Sequence, residues 1–382
     1  MAASGLTRRT FVGTSLAAAG SALAAACAPA SAPIQAPAQP AAAAKAAWET
    51  EWDNLVSAAK REGKLRVLTL VGSGYRKGVE AFERAFPGIQ VELESFTTAS
   101  LWIPKVVAER EAGIYNWDVL QTPPQSVLIS FRPTGGLDPI RPHIFRPDVT
   151  DNKAWRDGFE SGFADKDKSL AYLMSAELAP RIFVDANQVN PGELKSIKDF
   201  LDPKWKGKIL WSDVRTGATY PIMLAIRNAV GDDVVKRLMV DQQPAFSRDA
   251  RQIVEALVRG RYAAGTWVGA SLLQEFQEKG LGKNVVPADF PDAGVVGSNG
   301  ALCLVNRAPH PSAAKLFINW VLSKEGQTAW TIPNGWNSRR ADVEPGDKGA
   351  LPRPDWKYVY TYREDSLPAQ EETRKWLETL VQ

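Results

Sequence analysis

The chain has 382 residues, with 46 Lys and Arg against 43 Asp and Glu, and only two histidines and two cysteines. So even a balance lacks the basic excess of nucleic-acid and anionic-membrane binders, and two histidines are little material for catalytic triads or imidazole metal sites. A chain this long buries enough apolar surface to fold without a disulfide framework.

Thr7-Arg8-Arg9-Thr10-Phe11-Val12 opens the chain, and an uncharged, alanine-rich stretch follows to Ala26. Paired arginines ahead of a weakly apolar run have the form of a twin-arginine export address, so residues 1–26 are expected to be a signal peptide. Phe11 to Ala26 is sixteen residues, thinned by Gly13 and Gly20, whereas a spanning helix needs about 20 apolar residues. Small residues before Cys27 mark where a bacterial lipoprotein is cut and acylated, although Leu23 stands one step early for that pattern. Cys27 is the expected lipidation site. The proline- and alanine-rich tract after it packs no core and reads, within residues 27–47, as a tether.

Leu65–Val71 reads as a buried strand followed by a glycine-bearing loop. Val79, Phe82 and Phe86 then fall on one helix face, and Pro87-Gly88 stops that helix before a second strand, Ile89–Glu94. A helix over Leu101–Glu111, with Pro104 in its first turn, leads to a short strand, Trp117–Leu120. This βαβ alternation repeats after Leu170. Leu194–Leu201 is a short helix, Lys208–Trp211 a strand and Thr219–Val230 a helix. Ser247 is an expected N-cap for a helix ending at Gly260, followed by strand Tyr262–Val268 and helix Leu272–Lys279. Gly294–Val305 reads as extended and Ser312–Leu322 as a helix. Two α/β lobes with mainly parallel sheets are expected.

Gly72-Ser73-Gly74-Tyr75-Arg76-Lys77-Gly78 sits where a dinucleotide fingerprint would sit, but Lys77 stands where the third glycine is required. A Rossmann cofactor site is therefore not expected, and no cofactor is called for. Ser73, Gly74 and Tyr75 remain ligand candidates, because a glycine loop at a helix start presents backbone N–H groups. His143 and His310 are expected to pack local turns, Cys303 to be a buried structural thiol, and the pairs Asp165/Asp167 and Asp232/Asp233 to face water. Among thirteen tryptophans, Trp102, Trp211 and Trp267 fall near strand ends or helix starts and are candidates for lining a pocket as well as for the core.

Four stretches, in order, resemble the extracellular solute-binding proteins of ABC importers: Trp52 to Leu65, ending Lys60-Arg61-Glu62-Gly63-Lys64-Leu65; Phe82-Glu83-Arg84-Ala85-Phe86-Pro87-Gly88-Ile89; Leu201-Asp202-Pro203-Lys204-Trp205-Lys206-Gly207-Lys208-Ile209; and Pro309 to Gln327, with Asn319-Trp320-Val321-Leu322-Ser323 inside it. The nearest likeness is to the ferric-binding branch. The resemblance implies a periplasmic-binding-protein-like fold whose two lobes are joined by a two-strand hinge, crossing near Ser175–Leu178 and Gly294–Gly297. Residues 48–175 with 297–382 would form lobe I, and 176–296 lobe II. It also implies a monomer without catalysis, which holds a small solute in the cleft and hands it to a membrane permease.

The resemblance further implies ligand positions. Thr216-Gly217-Ala218 matches the helix-start loop that holds an anion or polar group, and Trp267-Val268 replaces the adjacent tyrosines that bind iron. The first loop has no histidine, and Phe96-Thr97-Thr98-Ala99-Ser100 has no acid. A hard ferric ion wants anionic oxygen ligands, so a small organic solute is expected instead. Arg181 stands where it would either clamp a carboxylate or make a structural ion pair. The candidate set is Ser73, Gly74, Tyr75, Thr98, Ser100, Gln121, Arg181, Asp213, Thr216, Gly217 and Trp267. The competing expectations are a ferric-binding protein, an exported cofactor enzyme and a ligand sensor that reports to a receptor.

Overall fold

The computed structural model describes residues 45–96, 99–215, 219–266 and 270–381. Helix α1 (Ala47–Glu62) ends on Gly63, whose φ of 67° supplies the left-handed turn that lets the next strand start at Lys64. The first lobe follows as β1 (Lys64–Leu70), α2 (Ser73–Ala85), β2 (Gln90–Phe96), α3 (Ala99–Glu111), β3 (Val119–Thr122), β4 (Leu137–Asp138), α4 (Pro147–Thr150) and β5 (Tyr172–Leu173). Next come β6 (Glu177–Leu178), β7 (Ile182–Asp185), β8 (Ile209–Ser212), α5 (Thr219–Val230), α6 (Asp232–Lys236), β9 (Ala245–Ser247), α7 (Ala250–Val258), β10 (Ala264–Thr266), α8 (Ala270–Glu278) and β11 (Val285–Pro287). The chain returns through β12 (Val295–Gly297) to β13 (Ala301–Val305), α9 (Pro311–Val321) and α10 (Lys324–Thr331), and ends with β14 (Val359–Tyr360) and α11 (Leu367–Leu380).

Among the described residues the strands form three sheets. Lobe I has the order β2-β1-β3-β13-β4, with β5 also on β13, and lobe II has β11-β7-β10-β8-β9. Each has a parallel side from its βαβ units, β2-β1-β3 in one and β10-β8-β9 in the other, running to one edge of the sheet, with antiparallel strands on the other side. Alternating side chains give each sheet two cores. Val67 and Val119 face α2, α9 and α10, where Phe82, Phe317, Trp320 and Trp330 pack, while Leu68 and Leu120 face Trp102 and Val106 of α3. In lobe II, Ile209 and Trp211 pack with Ile222 and Ile226 of α5, and Leu210 packs with Ile253 and Leu257 of α7. Each such fully buried side chain contributes about 1.5–3 kcal/mol relative to exposure.

The third sheet joins the lobes. β6 and β12 pair antiparallel, Val296 opposite Leu178 and Gly297 opposite Glu177, and β14 adds parallel to β12. The connection therefore has three strands where two were expected. From Val359 onward the chain divides between the lobes: Tyr362 belongs to a lobe I core and Glu364 pairs with Arg132, while Val359 and Leu377 belong to the lobe II core. Arg227 of α5 donates to Thr373 at 3.0 Å and lies 4.5 Å over the Trp376 ring, tying α11 to α5.

Several local expectations change. Asp249, not Ser247, caps α7, accepting from the N–H groups of Arg251 and Gln252, because Ser247 is taken into β9. Residues 197–201 form a tight 3-10 turn in place of a longer helix. α3 begins at Ala99, which puts Pro104 inside the helix instead of in its first turn. Asp165 is 3% exposed, not solvated, and accepts from the backbone N–H groups of Ser169, Leu170 and Ala171. No helix among the described residues is long and apolar enough to cross a membrane. The signal peptide, Cys27 and most of the tether lie outside the described residues.

Candidate functional site

The edge of the lobe I sheet that faces lobe II is fixed by topology: β1 and β3 end there, β13 begins there, and the connecting strands leave from there. Val71 donates its N–H to the Phe96 carbonyl at 3.0 Å, and α2 starts two residues later. The loop is pressed against the turn after α10. A Cβ on Gly74 would fall 2.4 Å from Asn334 Oδ1, so only glycine lets the backbone approach that closely. Tyr75 is 3% exposed, its ring edge-on to Trp330 at 5.7 Å and to Trp336 at 5.5 Å. Burial pushes its phenol well above the usual tyrosine range, so it is a core side chain that resists becoming an anionic ligand.

Gln121, near the end of β3, is fully buried, and among the described residues neither its amide nitrogen nor its amide oxygen has a hydrogen-bond partner. A Cβ on Gly300 would lie 2.0 Å from Gln121 Nε2, so the amide occupies the space that this glycine leaves. The Thr122 hydroxyl next to it is likewise buried, with no partner among the described residues. Around this edge, Asn299 donates its N–H to Ser175 Oγ at 3.0 Å, and the Ser175 and Ser298 hydroxyls lie 3.3 Å apart. The Asn299 amide donates to Glu177 Oε1, and the Asn337 N–H donates to Glu177 Oε2 at 3.3 Å. Sequence reasoning missed Glu177, Asn299 and Asn337. The one available signal was an acid, Glu177, inside a stretch expected to cross between lobes.

On lobe II, Thr219 Oγ1 donates to the Ser212 carbonyl at 2.6 Å, and the Ser212 N–H donates to Thr266 Oγ1 at 2.9 Å, which ties the ends of β8 and β10 to the start of α5. Asp213 accepts from Arg215 at 2.7 and 2.6 Å and from Arg248 at 2.9 Å. The Arg215 hydrogen bonds hold its carboxyl far below the usual carboxylate range. Asp213 thus organises two arginines and is not an open acceptor for solute.

Arg181 is also engaged. Its guanidinium donates to Asp289 at 2.8 and 2.6 Å and lies 3.5 Å from Asp347, with side-chain exposures of 11% for Arg181 and 10% for Asp289. Of the two roles open to it, the structure gives it the ion pair. Trp102 and Trp211 are both 0% exposed core residues. Ser73 and Ser100 sit in the first turns of α2 and α3. Thr98, Thr216, Gly217 and Trp267 lie outside the described residues. Of the sequence candidates, the described structure therefore gathers Gln121 and the Ser73-Gly74 turn at the edge facing lobe II, and withdraws Tyr75, Arg181 and Asp213 into packing or ion pairs.

Two α/β lobes joined by crossing strands, with polar groups gathered at the crossing, define a binding protein of the periplasmic type. The chain belongs to the bacterial extracellular solute-binding protein family, whose model matches residues 77–349. It is 27% identical over 230 residues to iron uptake protein A2 of Synechocystis sp. (strain ATCC 27184 / PCC 6803 / Kazusa), a match that spans 55% of this chain and 61% of that relative's length. Among solved structures it is similar to the Trichodesmium IdiA/FutA protein in complex with iron and citrate, with a TM-score of 0.63, 16% identity and coverage of 83% of this chain and 99% of that one. It is also similar to ferric iron-binding protein A of Mannheimia haemolytica in an open conformation, with a TM-score of 0.65, 15% identity and coverage of 83% and 98%. A further likeness is to the spermidine/putrescine ABC transporter substrate-binding protein of Streptococcus pneumoniae, with a TM-score of 0.59, 13% identity and coverage of 84% and 99%. At these identities the solved structures establish the shared two-lobed fold.

Proposed function

We propose that this protein, a solute-binding component of an ABC import system, captures a small organic solute between its lobes and presents it to a membrane permease. Gln121 carries the reading. A buried amide with both its donor and its acceptor unpaired costs stability unless something satisfies it, and an organic solute offers both kinds of partner. Thr216, Gly217 and Trp267 complete the proposed site from lobe II, with Ser73 and Gly74 opposite. The ferric reading draws on the named relatives, which include iron uptake and iron-complexed proteins. Against it stands the fate of Tyr75, the one tyrosine among the candidates, which is spent in the aromatic core.

Titration of the apo-protein with ferric citrate separates the two. We expect no visible tyrosinate charge-transfer band, and a strong band with stoichiometric binding would establish the ferric reading. For a solute found by thermal shift, Trp267→Ala is expected to weaken affinity by about 1–3 kcal/mol through loss of a desolvated aromatic anchor. Parent-like affinity in a folded variant would move the site elsewhere.

Export by the twin-arginine route and acylation at Cys27 are part of the same proposal. Replacing Arg8 and Arg9 with lysine should leave unprocessed precursor in the cytoplasm, whereas normal processing would point to the general secretory route. Replacing Cys27 with serine should abolish incorporation of labelled acyl chain, and persistent label would refute anchoring there.

A further inference from the structure

Glu177 is set in the crossing strand β6, at the root of the inter-lobe cleft, with no cation within ion-pair distance among the described residues. Its two oxygens accept from the Asn299 amide and the Asn337 N–H, which leaves lone pairs on both. The charged groups facing it are Asp347 and Arg181, and Arg181 is already engaged by Asp289 and Asp347, with Arg353 also 3.4 Å from Asp289. Three carboxylates against two guanidinium groups leave this junction one negative charge in excess when all are ionised. Asn299, which donates to Glu177, is followed by Gly300, and against Gly300 packs the Gln121 amide, both of whose polar atoms are unpaired among the described residues. An anionic solute group would be repelled here. A protonated nitrogen would neutralise the excess charge and donate to the free lone pairs of Glu177.

We propose that Glu177 forms the subsite for a protonated amine of the solute. This rests on the organic-solute reading and narrows it to solutes that carry an ammonium group. Burial pushes the Glu177 carboxyl up to about 7, the Asp347 charge adding to the rise and the Asn337 N–H and Arg181 opposing it. At neutral pH the empty protein therefore holds this group partly protonated, and an arriving ammonium drives the proton off.

The test is a thermal-shift series on the mature protein with ethanolamine, 4-aminobutyrate and lysine as amines, succinate and citrate as anions, and xylose as a neutral polyol. Stabilisation by an amine is expected. For that amine, calorimetric titration at pH 7 in two buffers of different ionisation enthalpy should show proton release, and Glu177→Gln should abolish the release and weaken binding about tenfold or more. Should the glutamine variant fail to fold, Glu177→Asp keeps the charge and is expected to retain proton release at lower affinity. Stabilisation by the anions or xylose alone overturns the amine subsite and leaves the organic-solute reading standing. Stabilisation by none of the probes overturns both, and an amine that binds Glu177→Gln as it binds the parent overturns the role of this residue.

Discussion

Replacing Trp330 with alanine is expected to lower the free energy of unfolding by about 3–5 kcal/mol, the cost of emptying a large aromatic site in a core. The ring is fully buried, edge-on to Phe317 at 5.4 Å and to Tyr75 at 5.7 Å. It also lies so close to α2 that a Cβ on Gly78 would fall 2.5 Å from it, which is why a glycine stands inside that helix. The same ring braces Tyr75, and through it the first turn of α2 at the edge facing lobe II, so solute affinity should fall along with stability. Urea unfolding followed by circular dichroism measures the effect; a shift below about 1 kcal/mol would mean that the pocket around Trp330 relaxes freely.

Arg181→Ala should act on stability and not selectively on solute recognition, at a cost of about 3–5 kcal/mol for breaking a largely buried pair from one side. Among the described residues Asp289 would keep only Arg353, 3.4 Å away and on a side chain that is 43% exposed, and the link to Asp347 and the Gly349 carbonyl would be lost. Those contacts tie the start of β7 to the segment returning from lobe I, so a looser relation between the lobes is a further consequence. A variant that melts like the parent yet loses a carboxylate-bearing solute would restore Arg181 as a ligand clamp. Arg181→Lys should recover little, since one ammonium cannot reproduce the two parallel bonds to Asp289.

The elements most legible in the sequence were those whose period and punctuation agree. The face of Val79, Phe82 and Phe86 ending at Pro87-Gly88, and the apolar run after Lys64, became α2 and β1. Thr219–Val230 formed as α5 between the same residues. Boundaries failed where two local signals compete. Ser247 and Asp249 are both good N-caps, and pairing of Ser247 with Ser212 across β9 and β8 decided for Asp249. The site was less legible than the fold. Tyr75, Arg181 and Asp213 carry the right chemistry at the right places in the chain, but a side chain's chemistry does not say whether its partner is a solute or another part of the protein.

By itself the sequence determined the kind of protein this is: an α/β body of alternating strands and helices, patterned like an extracellular solute-binding protein behind a segment with the form of an export address. These are properties of local order, because hydrophobic period, turn residues and short motifs act over neighbouring positions. Only the tertiary structure decided which polar groups are spent and which are spare. Arg181 met Asp289 from 108 positions away, Asn299 met Glu177 from 122 positions away, and Val359 and Leu377 joined the lobe II core although the chain reaches them from lobe I. Among the described residues, the unpaired amide of Gln121 and the Glu177 carboxylate without an ion-pair partner emerge from such meetings, since a group's electrostatic and hydrogen-bonding state depends on what the fold brings to it across space.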